Sequence, residues 1–553
     1  MHRPKSRRQL ETEEFDICII GGGVSGAGCA LDAVLRGYKV ALIEKNDFAA
    51  GTSSRSTKLI HGGVRYLEQA FRKLDFGQLK QVWHGMNERH ILLKNALHLA
   101  QPLALLTPVF SWLEGAYFTV GLKMYRWFAR HDSMPPSQWL SRQQTFDKMP
   151  TLLLRTHSSV LYYDGQMDDA RYNLSIVQTA AKNGAVVANH VEVIGFQKDE
   201  SQKIQTIFLK DNLDGVEFSL RARLFINCTG AHADSIRQLA NADLRPKIRP
   251  SKGVHVTLPA SVLKSNCAML IPKTPDGRVV FVVPFESETL LGTTDDDLVN
   301  PSEEPTVNRS EIDYLLETLS PYLQTPPTFE QVKAGFGGLR PLLRSDENEK
   351  NTKRLLRDHV VEYDEISNLV SLMGGKWTTY RLMAKDAIDQ AEEILNKKIG
   401  ESVTEKCILW GGENFEPDGW KKLHLQYQWS EKICRHLHSK YGSNAEDVAA
   451  LTTENPDWAQ LLVADFPFLQ VEVVYAARHE MVGEIRDFLA RRCRLEILDW
   501  KATQTAIPIV GTLLAQELGW SDEKKLEKQD KYLSQIKQFQ NNIRNEEKIR
   551  PLH

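Results

Sequence analysis

The sequence predicts an α/β fold in three parts, on three observations. A glycine turn joins an apolar strand to a helix near the N-terminus, strand-like runs fill the middle of the chain, and after about residue 400 the pattern turns helical and polar. The first strand, Phe15-Asp-Ile-Cys-Ile-Ile20, feeds Gly21-Gly-Gly-Val-Ser-Gly26-Ala-Gly28; a helix is expected from about Ser25 to Arg36, closing at Gly37, and a second strand, Lys39-Val-Ala-Leu-Ile43, ends at Glu44. In such a unit Gly21 allows the tight turn, Gly23 lets the backbone approach a pyrophosphate, and Gly26 lets the helix pack close to the sheet. The phosphates sit at the helix N-terminus, and Glu44 accepts from ribose hydroxyls. The glycine spacing alone also occurs in turns that bind nothing. Strand, turn, helix, strand and acid together read as a dinucleotide site.

After Glu44 the chain leaves the plain Rossmann pattern and runs Gly51-Thr-Ser-Ser-Arg-Ser-Thr-Lys58-Leu-Ile-His61-Gly-Gly-Val-Arg65-Tyr-Leu. A loop so rich in hydroxyls and backbone donors suits a long cofactor that continues into a second domain, as FAD does. Arg223-Leu-Phe-Ile-Asn-Cys-Thr-Gly230 reads as a late strand ending in a turn under that cofactor, and Leu372-Met-Gly-Gly-Lys-Trp-Thr-Thr-Tyr-Arg381 as a second glycine turn opening a helix. Amides at that helix start suit the electron-rich side of a reduced flavin. No second nucleotide fingerprint appears, so NAD is not expected as electron source or sink.

These pieces must meet at one cofactor, so the nucleotide domain is expected to be discontinuous, over 14–75, 160–240 and 365–395. Between them, 76–159 and 241–364 form a substrate domain. Its runs Gly253–Leu258, Val279–Pro284 and Thr289–Thr294 suggest an antiparallel sheet. Pro321–Pro327 and Ser345–Asn351 read as loops. A C-terminal helical domain follows over 400–553, and its last stretch, from Asp522, carries a thin stripe of Leu526, Leu533, Ile536 and Ile543.

Two longer motifs identify a family. Ile20-Gly-Gly-Gly-x-x-Gly-Ala-Gly-x-Ala-x-Asp32-x-x-x-Arg36-Gly37 and Gly374-Gly-Lys376-x-x-Thr-Tyr380-Arg381-x-x-Ala384, with Ser56–Glu68 and Gly337-Gly-Leu-Arg340-Pro-Leu-Leu between them, resemble the FAD-dependent glycerol-3-phosphate dehydrogenases, within the D-amino-acid-oxidase-like flavoproteins. The resemblance covers roughly residues 14 to 395 and continues more weakly beyond. It implies a Rossmann-type FAD-binding domain, an antiparallel-sheet substrate domain and a C-terminal helical domain. It also implies oxidation of sn-glycerol 3-phosphate to dihydroxyacetone phosphate, with hydride passing from C2 to the flavin and electrons passing on to a membrane quinone. A glycerol-3-phosphate oxidase releasing hydrogen peroxide is the alternative. On these segments the FAD contacts expected are Gly21, Gly23, Gly26, Glu44, Lys45, Thr52, Ser53, Lys58, Gly62, Val191, Gly230, Gly375, Lys376 and Thr378.

A phosphate dianion calls for arginine, whose planar fork binds two oxygens at once. Arg340 and Arg357 are the candidates, with Arg55 as a further one; each has the alternative of a surface ion pair. Lys376 is expected beside the flavin, where it stabilises reduced flavin or a developing alkoxide. The base that takes the C2 hydroxyl proton should titrate near neutrality, which points to histidine; His61 and His255 both lie beside glycine turns, and the sequence does not choose between them.

The chain has 553 residues, 42% of them apolar and 25% charged, which is ordinary for a globular protein of two to four domains. With 69 basic and 71 acidic residues, scattered, nucleic acid is not an expected partner. No His, Cys and Asp cluster has metal-ligand spacing, so no metal is predicted. Seven cysteines without a Cys-x-x-Cys pair read as reduced structural thiols. Met1–Arg8 is basic without the apolar stretch of a secretory signal and reads as a frayed tail. Nothing reaches the length of a spanning helix. From Leu113, residues Tyr117, Val120, Met124 and Trp127 or Phe128 recur at helical spacing with Lys123, Arg126 and Arg130 nearby, as in an interfacial helix, although the pattern alone favours a core helix of the second domain. The expected location is cytoplasmic, peripherally on the inner face of the cytoplasmic membrane, and a homodimer is the expected association.

Overall fold

The first strand, Glu14–Ile20, is buried from Ile17 onwards on both faces, as a strand inside a parallel sheet must be. The computed structural model describes residues 1–62, 76–128, 134–272, 274, 277–297, 304–344 and 359–544, with the backbone alone for 76–82, 122–128 and 297. In the sheet around that strand the order is His359–Asp364, Leu369–Gly374, Glu217–Asn227, Glu14–Ile20, Val40–Ile43 and Val186–Ala188. The last five run parallel. The helix Val24–Arg36 follows the first strand and ends at Gly37, whose φ of 100° is the left-handed cap that glycine adopts freely.

The two sequence signatures meet physically. Gly28 of the first faces Tyr380 of the second so closely that a Cβ would lie 2.8 Å from the ring. Arg36 donates to Asp32 on its own helix at 2.8 Å and reaches Glu392 at 2.9 Å on the helix Tyr380–Leu395. Both motifs therefore fix one helix pair against the sheet, which sets the positions of the two glycine turns.

A second sheet is ordered Asp296–Asp297, Ile248–Pro259, Glu288–Gly292, Val280–Phe285, Ala268–Ile271, Ala100–Val109, Ser158–Met167 and Leu59–Ile60, with Ala334–Leu343 pairing Ile248–Pro259 and Gln138–Leu140 pairing Ser158–Met167. The pairs that carry the three runs read from the sequence are antiparallel. Leu59–Ile60 and Ser158–Met167 belong to this sheet although they fall inside or across the expected nucleotide segments.

The helices Glu431–Tyr441, Gln470–His479, Trp500–Leu518 and Asp522–Arg544 share one continuous apolar core with the second sheet, in which Val254 and Leu291 lie with Val473, Leu514 and Ile536. Each such side chain contributes about 1.5–3 kcal/mol by burial. The C-terminal part is thus fused to the substrate sheet rather than hung beside it. The N-terminus departs from the frayed tail the sequence suggested: Arg3–Thr12 is a helix. Arg3 donates to Asp211 at 2.8 Å, Met1 N donates to His479 O at 2.9 Å, and Leu10 is buried, and these long-range contacts hold it.

Candidate active site

Between the two sheets lies a cavity of about 1900 Å³, lined from both and from the C-terminal helices. Its nucleotide end is shaped by glycines that nothing larger can replace. Gly21 has a φ of 110°, and a Cβ there would lie 2.7 Å from Cys228 O; a Cβ on Gly26 would lie 1.9 Å from Gly21 O. Glu44 accepts from Gly22 N at 2.7 Å and Asn46 N at 2.9 Å, while burial pushes its carboxyl above the ordinary range. Ser53 Oγ accepts from Val24 N at 2.9 Å at the start of the helix, and Thr52 donates to Leu339 O across the cavity wall. Lys45, Val191 and Gly230 line the same cavity, with Val191 N donating to Glu44 O at 2.7 Å.

The second glycine turn closes the other end. Gly374 and Gly375 have φ of 75° and 85°, and Lys376 leads into the turn Trp377–Thr379. Trp377 Nε1 donates to Ser53 O at 3.0 Å, tying this turn to the loop that follows the first one. Gly375, Lys376 and Thr378 line the cavity. Three expected cofactor residues do not: Gly26 is buried in the helix against Gly21 O, Lys58 is buried beneath the wall with its Nζ 2.8 Å from Asp169, and Gly62 packs against Gly85.

His61 and His255 both line the cavity. His255 is almost fully buried; its ring stacks on Phe336 at 5.0 Å, its Nε2 meets Thr57 Oγ1 at 2.9 Å, and its Nδ1 is buried without a hydrogen-bond partner. Burial, then the cations Lys58 and Arg340, hold its pKa well below the usual imidazole range. Arg340 reaches the cavity through the space that Gly253 leaves, where a Cβ would lie 2.3 Å from Nη2. It donates to Thr293 Oγ1 at 3.0 Å and Thr294 O at 2.9 Å, and more loosely to Lys252 O and Asp295, both at 3.3 Å. Arg55 lines the cavity too, but its guanidinium is engaged by Gly337 O and Glu304. Arg357 lies outside the described residues. Among the described residues no three His, Cys, Asp or Glu side chains converge as a metal site requires.

The cavity fits a flavin dinucleotide: a glycine cradle at one end, an acid, Glu44, at the end of the second strand, and a second glycine turn with a cation. The FAD dependent oxidoreductase family matches residues 16–388, and the C-terminal domain family of alpha-glycerophosphate oxidase matches 402–525. A mitochondrial glycerol-3-phosphate dehydrogenase of Arabidopsis thaliana is 40% identical over 96% of this chain and 87% of its own, and that of Rattus norvegicus is 39% identical over 93% and 72%. The chain belongs to the FAD-dependent glycerol-3-phosphate dehydrogenases. The glycerol-3-phosphate dehydrogenase of Bacillus halodurans, solved with FAD, superposes with a TM-score of 0.78 at 27% identity, covering 97% of each chain. L-alpha-glycerophosphate oxidase of Mycoplasma pneumoniae shares the fold at a TM-score of 0.54 and 18% identity, over 70% of this chain and 98% of its own.

The glycerol-3-phosphate dehydrogenase site draws on residues that reading the sequence missed. Thr57 and Phe336 frame His255, and Glu304 joins Arg55 to Arg486 of the C-terminal part, which itself lines the cavity with Lys528, Lys531 and Tyr532. Thr57 lies within the Ser56–Glu68 motif, yet nothing local marks its partner 198 residues away.

Proposed function

We propose that this chain oxidises sn-glycerol 3-phosphate to dihydroxyacetone phosphate and passes the electrons to a membrane quinone. The observation that carries the substrate reading is Arg340, a guanidinium on the cavity wall on the same sheet as His255. FAD in this cavity would supply the acceptor for the hydride that leaves the substrate's C2. Gly21, Gly23, Glu44 and the Gly375–Thr378 turn hold it in place. Arg340 takes the phosphate, exchanging its two looser contacts, to Lys252 O and Asp295, for phosphate oxygens. His255, on the cavity wall, takes the C2 hydroxyl proton, and Lys376 stabilises the alkoxide as it forms.

The membrane reading rests on the helix Trp112–Phe128, where Trp112, Leu113, Tyr117 and Val120 are 63%, 74%, 50% and 59% exposed. Tyr117 and Val120 also line the cavity, so this apolar surface is continuous with the flavin chamber and offers an apolar acceptor a route to it. No described helix is long and apolar enough to cross a membrane. Peripheral attachment at the inner face of the cytoplasmic membrane accords with such a surface. The fold shared with an oxidase favours oxygen as a second reading. Turnover with sn-glycerol 3-phosphate in the presence of a soluble quinone, in air and without it, separates the two. Quinone reduction without stoichiometric peroxide supports the dehydrogenase; peroxide equal to substrate consumed sinks it.

A further inference from the structure

Lys58 is fully buried, adopts a left-handed backbone (φ 64°) that is unfavourable for a residue with a side chain, and does not line the cavity. Its place is beside His255. Thr57, one residue earlier, meets His255 Nε2 at 2.9 Å. Lys58 Nζ lies 4.8 Å from the centroid of the Phe336 ring, and Phe336, the cross-strand neighbour of His255, stacks on the imidazole with 9° between the planes. The strand on the other side presents Gly292, where a Cβ would lie 2.2 Å from the imidazole Cδ2, so the ring occupies the space that this glycine leaves. Among the described residues the charged groups acting on His255 are two cations, Lys58 from the loop and Arg340 from the strand Ala334–Leu343, and no carboxylate.

We propose that Lys58 is a positioning residue for His255: Thr57 fixes the ring, and the ammonium across Phe336 keeps the imidazole uncharged, so that it meets the substrate hydroxyl as a proton acceptor. This rests on the reading of His255 as the base. Lys58 is itself held in place by charge. Its Nζ donates to Ser54 O at 2.9 Å and Asp169 Oδ2 at 2.8 Å; Arg494 of the C-terminal part contacts Asp169 at 2.9 Å and Asp168 at 3.4 Å. Burial, opposed by Asp169, brings the Lys58 pKa down to about 7, so the cation is present on the acid side, where His255 would otherwise take up a proton. A cation kept in such a place, on a strained backbone, needs a task that a buried leucine would not perform.

The test follows the rate of anaerobic flavin reduction by saturating sn-glycerol 3-phosphate against pH, in the holoenzyme. The wild type is compared with Lys58→Met/Asp169→Asn, which removes the pair together, and with Lys58→Arg, which keeps the charge. The neutral pair moves the acid limb of the profile to higher pH by about one unit, while Lys58→Arg leaves it in place. The His255 imidazole signal, assigned by its loss in His255→Asn, is titrated by NMR in the same proteins and moves with the limb. An imidazole titration unchanged in the neutral pair overturns the proposal. Unaltered flavin reduction in His255→Asn overturns the reading of His255 as base instead, and the NMR titration still decides what Lys58 does. Should the neutral pair fail to fold, Asp169→Asn alone deprives Lys58 of the carboxylate that keeps it protonated and shifts the titration in the same direction; no shift there also overturns the proposal.

Discussion

Arg492, in the C-terminal part, donates to both carboxylate oxygens of Asp47, at 2.8 and 2.9 Å, and both residues are buried. Asp47 stands three residues beyond Glu44, on the loop that bounds the nucleotide end of the cavity, and Arg491 reaches the same carboxylate. The C-terminal part therefore braces the cofactor loop as well as the substrate sheet. Removing one partner of a buried pair costs about 3–5 kcal/mol, because it leaves charge without compensation. Arg492→Met is expected to lower the melting temperature and to release FAD more readily, read as free flavin after gel filtration; an unchanged melt with retained flavin would show that Arg491 suffices.

Gly26→Ala places a methyl group 1.9 Å from Gly21 O, a clash that neither backbone can relieve without displacing the turn. The purified variant is expected to carry little or no flavin while its far-ultraviolet circular dichroism stays near that of the wild type. Full flavin occupancy would place the cofactor elsewhere.

Arg340→Ala is expected to lower kcat/KM for sn-glycerol 3-phosphate by roughly ten- to a hundredfold, the size of a lost charged hydrogen bond. Arg340→Lys keeps the charge but loses the fork, and recovers only part of it. The flavin spectrum should be unaffected in both. An unchanged KM in Arg340→Ala would remove this residue from the phosphate site.

Burial holds the pKa of His98 down to about 3 and that of His255 well below its ordinary value. Both imidazoles are thus neutral when folded and bind protons more readily when unfolded, near 6.5. The unfolded chain takes up more protons as pH falls below about 6.5, so these two groups withdraw stability there, by about 1.4 kcal/mol for each unit of difference. Urea denaturation at a series of pH values should give a falling midpoint on the acid side, and His98→Asn should flatten the fall. A midpoint constant down to the carboxylate range contradicts the assignment.

Trp112 and Leu113 stand exposed at the start of one helix, away from the cavity, and replacing both with Glu should abolish sedimentation with anionic lipid vesicles while leaving anaerobic flavin reduction intact. Retained sedimentation would move the membrane contact to another surface.

The nucleotide end was legible in the sequence because its chemistry lies in backbone positions open to glycine alone. Gly21, Gly26, Gly374 and Gly375 each answer a close approach or a positive φ, and such demands leave a local mark. The substrate end was legible only as candidates. Arg340 reaches the cavity through the gap left by Gly253, which lies on a strand more than eighty residues earlier. Arg55, by contrast, is drawn to Glu304. Lys58 reads as a cofactor contact in the sequence because its neighbours do, and they line the cavity; the left-handed turn at that residue sends its side chain to Asp169 instead. Pairings such as Asp47 with Arg492, separated by 445 residues, carry no periodicity or spacing that one chain displays.

Oxidation of a phosphorylated glycerol in this cavity has a direct spectroscopic consequence. The most direct test is to record the oxidised flavin spectrum of the purified holoenzyme without oxygen and then add sn-glycerol 3-phosphate, with glycerol and D-alanine as controls. The account predicts that the phosphate ester alone bleaches the flavin. A bound flavin that stays oxidised with sn-glycerol 3-phosphate, or one bleached equally by glycerol, would contradict it.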